Sequence, residues 1–285
     1  MNSMPNNAAL HPIRAKENAL FEEWIKAPQV RYPFAVDGCA DPAAFERSRY
    51  RIVLTLKERN WGHTIEEQRA FAAAPPDLPT RLQEMSNDKG RETFDSWWTL
   101  VAQWVEVLLA TESVDWPALE RSFALDAATS DVAPRQVAES REAWVYEKNK
   151  MSLGKCSCVQ LKKVPGGGTM NKYDFNAFVK EDKDFILRQF GIYSPHFIIS
   201  CGSNDNWGVF SQCLFPDSDV QRTRNGVMYF IASSSQNGLC KTAVINFGHP
   251  SMRINSSLWG VLAFGLRDAL DEINSQHSDL GSLAE

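Results

Sequence analysis

Thr242-Ala243-Val244-Ile245-Asn246-Phe247-Gly248-His249-Pro250-Ser251 is the stretch on which the fold turns. A β-prone, largely apolar run ends in glycine, an imidazole, a proline that fixes φ and a hydroxyl, and a helix-like segment follows. A buried strand with polar residues at its exit is how open α/β sheets assemble ligand sites, at the carboxyl ends of their strands. Taken alone, a His-Pro-Ser turn also serves simply to redirect the chain.

Three earlier segments have the same form. Arg51-Ile52-Val53-Leu54-Thr55-Leu56 runs into Lys57-Glu58-Arg59-Asn60. Cys158-Val159-Gln160-Leu161 runs into Lys162-Lys163 and the loop Pro165-Gly166-Gly167-Gly168, and Phe197-Ile198-Ile199-Ser200-Cys201 runs into Gly202-Ser203. Each reads as a strand with its chemistry at the carboxyl mouth. Val227 to Ala232 is a further strand.

Between these strands the periodicity is helical. Leu20, Phe21 and Trp24 share one face of a helix over Ile13 to Trp24, while residues 1–12 are polar and read as frayed. The segment 62–150 reads as a helical insertion within the α/β core. Within it Phe94, Trp97, Trp98, Val101, Val105, Leu108 and Leu109 recur at three- and four-residue spacing. Pro134 fits the first turn of another helix ending near Lys148. Phe175 to Phe190 predicts helical structure with Asp174 as cap and Gly191 as stop. Leu258, Val261, Leu262, Leu266, Leu270 and Ile273 stripe the last helix. The expected architecture is one domain over 1–285, a three-layer α/β/α fold with a central, mainly parallel sheet.

The chain has 285 residues, enough for a substantial core, and a formal net charge of −5, so any nucleic-acid contact must come from a local basic patch. No apolar leader follows Met1 and no apolar run spans a bilayer, which predicts a cytoplasmic protein with no membrane partner. Six cysteines are too sparse for a disulfide framework, and Cys156-Ser157-Cys158 lacks the spacing of a metal knuckle. No metal, cofactor or iron–sulfur cluster is expected, and the chain is expected to be a monomer.

In their order, the four strand exits resemble the motifs of the uracil-DNA glycosylase superfamily. The resemblance covers the C-terminal half and a short stretch around Lys57. It implies a monofunctional enzyme that flips a nucleotide out of DNA and hydrolyses its N-glycosidic bond. Glu58 or Asn60 would position the water, and His249 would hydrogen-bond the base oxygen as negative charge develops there. The Lys57-Glu58-Arg59-Asn60 exit lacks the family's glycine and proline framing, which leaves open which side chain faces the sugar.

The resemblance also assigns binding roles. Gln160 stands where uracil-specific members place Asn to read the pyrimidine edge; one methylene longer, it points towards a bulkier base. Phe71, before the proline-rich Pro75-Pro76-Asp77-Leu78-Pro79, is a candidate for stacking on that base, with Trp61 and Lys162 beside it. DNA contacts fall to Lys163, Gly166, Gly167, Gly168, Gly202, Ser203 and Ser251, with Met252 and Arg253 as the wedge. Uracil is one possible substrate. A hydroxymethylated or glucosylated cytosine of phage DNA, cut in antiviral defence, is slightly preferred. A non-catalytic nucleic-acid-binding module on the same fold and an unrelated hydrolase on a generic α/β sheet stay open.

Overall fold

A computed structural model of the chain describes residues 10–29, 34, 36–56, 96–110, 150–163, 172–202, 204–234, 239–248 and 256–282. Seven strands lie within them: β1 (Gly38–Cys39), β2 (Ile52–Leu56), β3 (Cys156–Gln160), β4 (Phe197–Cys201), β5 (Gln221–Arg222), β6 (Met228–Ser234) and β7 (Leu239–Phe247). They form one sheet in the order β1-β3-β2-β4-β7-β6-β5. All four quoted segments are strands, and they are its adjacent, mutually parallel centre.

The margins are antiparallel: β1 on β3, and β6 then β5 beyond β7. The sheet is therefore mixed, with the parallel centre that the sequence predicted and antiparallel strands added at its margins. Only residues 235–238 separate β6 from β7, too few for the crossover that a parallel neighbour needs.

Helices cover both faces. They are α1 (Pro12–Ile25), α2 (Pro42–Glu46), α3 (Ser96–Leu109), α4 (Lys172–Glu181), α5 (Lys183–Tyr193), α6 (Asn204–Val209) and α7 (Ser256–Gln276). A 3-10 turn, Lys150–Lys155, leads into β3, and a π turn, Phe210–Leu214, continues α6. Proline opens α1 and α2, where its missing N–H costs nothing, and Asp41 caps α2 by accepting from the Ala44 N–H at 3.0 Å.

The period-two alternation of the parallel strands assigns the layers. Ile52, Leu54, Cys156, Cys158, Phe197, Ile199, Ala243 and Ile245 face one way, into a core with Val101, Val105 and Leu108 of α3 and Leu266, Leu270 and Ile273 of α7. Val53, Val159, Ile198 and Val244 face the other, against α1, α4, α5 and the π turn. This is a three-layer α/β/α sandwich. Of the segment 62–150, α3 is an integral part of one layer; the expected helix near Pro134 to Lys148 lies outside the described residues.

The helical stretch after β3 differs from its prediction. It starts at Lys172, with Asp174 inside α4, breaks at Asp182, and runs past Gly191 to Tyr193. Ser194, with φ 44°, ends it in the left-handed region. The further turn places Tyr193 in the core, where its hydroxyl finds a buried partner, and that outweighs the weak stop signal of a glycine. Among the described residues no helix is long and apolar enough to cross a membrane.

Candidate functional site at the carboxyl edge

From β2 the chain steps to β3 on one side, then to β4 and β7 on the other. The strands that follow β2 and β4 in the chain thus lie on opposite sides of them, which puts the topological switch point of the sheet between β2 and β4. Register aligns the exits: Leu56 pairs with Gln160, and Cys201 with Phe247. The sequences after Leu56, Gln160, Cys201 and Phe247 therefore leave from one edge.

Gln160 ends β3. By alternation it belongs to the face that carries Cys156 and Cys158, towards α3 and α7, and it is buried. Its Oε1 has no hydrogen-bond partner among the described residues, an uncommon condition for a buried amide oxygen. An oxygen so placed is suited to accept from an N–H of a ligand.

The backbone of Gln160 is held from outside the sheet. Its N–H donates to Asp37 Oδ2 at 2.6 Å, and its carbonyl accepts from Lys163 Nζ at 2.9 Å. Lys163 Nζ also lies 2.5 Å from Asp37 Oδ2, while Asp37 Oδ1 accepts from Gln189 Nε2 at 2.7 Å. The Lys163 ammonium sits 5.1 Å from the centroid of Trp24. Burial pulls it below its ordinary pKa, against the opposing pull of the Asp37 charge.

With 1 % of its surface exposed, Lys163 is enclosed, where the sequence reading expected a cation at the surface. Lys162 is buried too, its ammonium 4.8 Å from the centroid of Phe178. The spacing Gln160-x-x-Lys163 carried no sign that the chain turns inward after β3; the missing signal was the partner Asp37, more than a hundred residues earlier.

A second buried group adjoins the first. Glu17 Oε1 accepts from the Cys39 N–H at 2.9 Å and from the Tyr193 hydroxyl at 2.8 Å, and Glu17 Oε2 pairs with Arg14 at 2.8 Å. Gly38 makes room for this: with φ 125°, a Cβ there would lie 2.3 Å from Glu17 Oε1 and 2.5 Å from the Tyr193 hydroxyl. Burial raises the Glu17 carboxyl from 4.5 to about 6, opposed by Arg14 and the two hydrogen bonds and reinforced by the charge of Asp37. A raised carboxyl favours the folded state most below about pH 4.5, and that contribution is lost as pH rises through about 6. The stability of wild type minus that of Glu17→Gln should therefore fall by about 2 kcal/mol between pH 4 and 7. Urea unfolding of both proteins across that range checks it; a constant difference would remove the shift.

On the opposite face of the parallel strands, a polar row lies one residue inside the exits: Thr55 is paired in register with Ser200, and Ser200 with Asn246. Thr55 Oγ1 donates to the Ile199 carbonyl at 3.1 Å, whereas the buried Ser200 Oγ has no partner among the described residues. Nothing in the apolar reading of these strands singled the row out. It was visible only as a polar residue at the same depth in each of three strands.

The β5–β6 turn reaches the same edge, since Tyr229 pairs with Ile245 and the turn residues project beyond Met228. Asn225 Nδ2 donates to the Gly265 carbonyl at 2.6 Å, and the Arg224 N–H donates to the Glu272 carboxylate at 3.1 Å. This ties an exposed tip carrying Arg222 and Arg224 to α7.

The remaining assignments divide. Gly202 follows β4 and its N–H points to the Phe247 carbonyl at 3.4 Å, extending the ladder. Glu58, Asn60, Trp61, Phe71, Gly166, Gly167, Gly168, Ser203, His249, Ser251, Met252 and Arg253 lie outside the described residues. Cys39, Cys156, Cys158 and Cys201 are free and buried, and burial raises the thiols of Cys39 and Cys201, the latter to about 12; that of Cys158 is raised by a hydrogen bond with the Cys156 thiol and by burial. They are inert core thiols. Among the described residues no group of His, Cys, Asp or Glu is arranged to hold a metal ion. Comparison with protein-family models, curated proteins and solved structures finds no match for this chain.

Proposed function

We propose that the chain is a DNA base glycosylase of the uracil-DNA glycosylase type. One observation carries the reading: the four strands chosen for their exits are adjacent and parallel in the order β3-β2-β4-β7, so all four exits converge on the switch-point edge. In this reading Glu58 or Asn60 holds the attacking water and His249 donates to the base oxygen as the bond breaks. Gln160 offers its unpaired Oε1 to an N–H on the pyrimidine edge. The preferred base remains a modified cytosine of phage DNA, with uracil the other arm of the test.

Enclosure of Lys162 and Lys163 moves the phosphate contacts. Arg222 and Arg224, on the tip tied to α7, are exposed cations at the right edge, and they join Arg253 and the glycine run Gly166 to Gly168 in the proposed DNA surface. Replacing both Arg222 and Arg224 by alanine should weaken duplex binding. It should also lower the slope of log affinity against log salt by up to about 1.8, roughly 0.9 for each phosphate that is no longer neutralised. A variant with the wild-type slope would place the DNA elsewhere.

The function is tested by incubating the protein with unmodified, uracil-containing and modified phage DNAs and assaying alkali-labile abasic sites. Breaks confined to one substituted DNA are expected. DNA binding with no abasic sites in any of them would replace the enzyme by a non-catalytic module on the same fold.

A further inference from the structure

Asp37 and Lys163 do for Gln160 what a neighbouring strand does for an ordinary residue. β1 pairs with β3 only at Gly38 with Cys158 and Cys39 with Ser157. Leu161 donates its N–H inward to the Leu56 carbonyl at 2.9 Å, so the N–H and carbonyl of Gln160 point outward, past the end of β1. Asp37 accepts the first and Lys163 donates to the second. Gln189 of α5 fixes the free oxygen of Asp37, and all three side chains are at most 1 % exposed.

We propose that Asp37, Lys163 and Gln189 form a positioning clamp that fixes the end of β3, and through it decides which base Gln160 accepts. This rests on the glycosylase reading. A hydrogen bond to a base tolerates displacements of only a few tenths of an ångström, so a β3 end free to shift would lose discrimination before it lost binding. None of the three residues touches the base, and each acts through the Gln160 backbone.

The test uses the full-length double variant Asp37→Asn/Lys163→Met, which removes both charges together and so leaves no buried ion without its partner. Gln189→Leu is the second variant, read in its place should the first not fold. Two readouts are taken well below the melting temperature. One is the ratio of base-release rates on modified-cytosine and uracil oligonucleotides. The other is the backbone 15N order parameter of Gln160.

The clamp predicts a change of at least about tenfold in the rate ratio, absent when the same substitutions are made on Gln160→Asn. It also predicts that the order parameter falls from a rigid value near 0.85 to below about 0.6. Two rates reduced equally, with the ratio unchanged, would overturn it. Wild-type protein that releases neither base would overturn the glycosylase reading instead. The order parameter then decides alone: a fall upholds the clamp, and an unchanged value removes it.

Discussion

Asp37→Ala is expected to cost about 3–5 kcal/mol of folding stability, because it leaves the Lys163 ammonium enclosed without a counter-charge. Three donors converge on the carboxylate in the intact protein: the Gln160 N–H, Lys163 Nζ and Gln189 Nε2. Alanine leaves the Gln160 N–H without its acceptor and Lys163 without its counter-ion, although Lys163 Nζ keeps the Gln160 carbonyl at 2.9 Å and Gln189 Nε2 keeps the Tyr193 hydroxyl at 3.2 Å. Against a typical total of about 5–15 kcal/mol, the loss approaches unfolding. Lys163→Met should be milder, since it removes the ion that burial already disfavours and leaves Asp37 with two donors. Urea titrations followed by circular dichroism check the ranking. An Asp37→Ala midpoint close to wild type would mean that water or a rearranged side chain takes over the carboxylate's role.

His249→Ala should leave DNA affinity nearly intact while slowing base release by about two to three orders of magnitude. A preorganised donor facing developing negative charge is worth about 2.7–4 kcal/mol in the barrier, and little of that is expressed before the bond breaks. In sequence it follows two residues after the end of β7. Equilibrium binding and single-turnover release, measured separately, make the distinction. An unchanged release rate would take His249 out of the chemistry.

The parts of the fold that were legible in the sequence are those in which one local signal dominates. Apolar runs at Ile52–Leu56, Phe197–Cys201 and 242–247 have no helical period, and they lie in strands largely buried on both faces. Leu20, Phe21 and Trp24 repeat at helical spacing and are buried in α1. Two-residue strands such as β1 and β5 carry no period at all, and their pairing is set by neighbours distant in sequence. The site divides in the same way. The strand exits could be read, but which way a lysine turns could not: Lys162-Lys163 reads as a basic surface until Asp37, Phe178 and Trp24 are brought around it. The Thr55, Ser200 and Asn246 row exists only once register is known.

The sheet's two margins end in strands of two residues each. On the β1 side, α1 also covers the free backbone: Glu17 takes the Cys39 N–H, and the Arg14 guanidinium donates to the Cys39 carbonyl. An unpaired strand is a template on which another chain can crystallise its own backbone, and the length of the open row sets how firmly it holds. Here the β1 row is capped by a helix, while at the other margin β5 covers Met228 and Tyr229 of the seven-residue β6 and carries the charged Arg222. Strand addition at the β1 margin, the usual road from a crowded β-sheet to a fibril, would first have to displace Glu17 and Arg14.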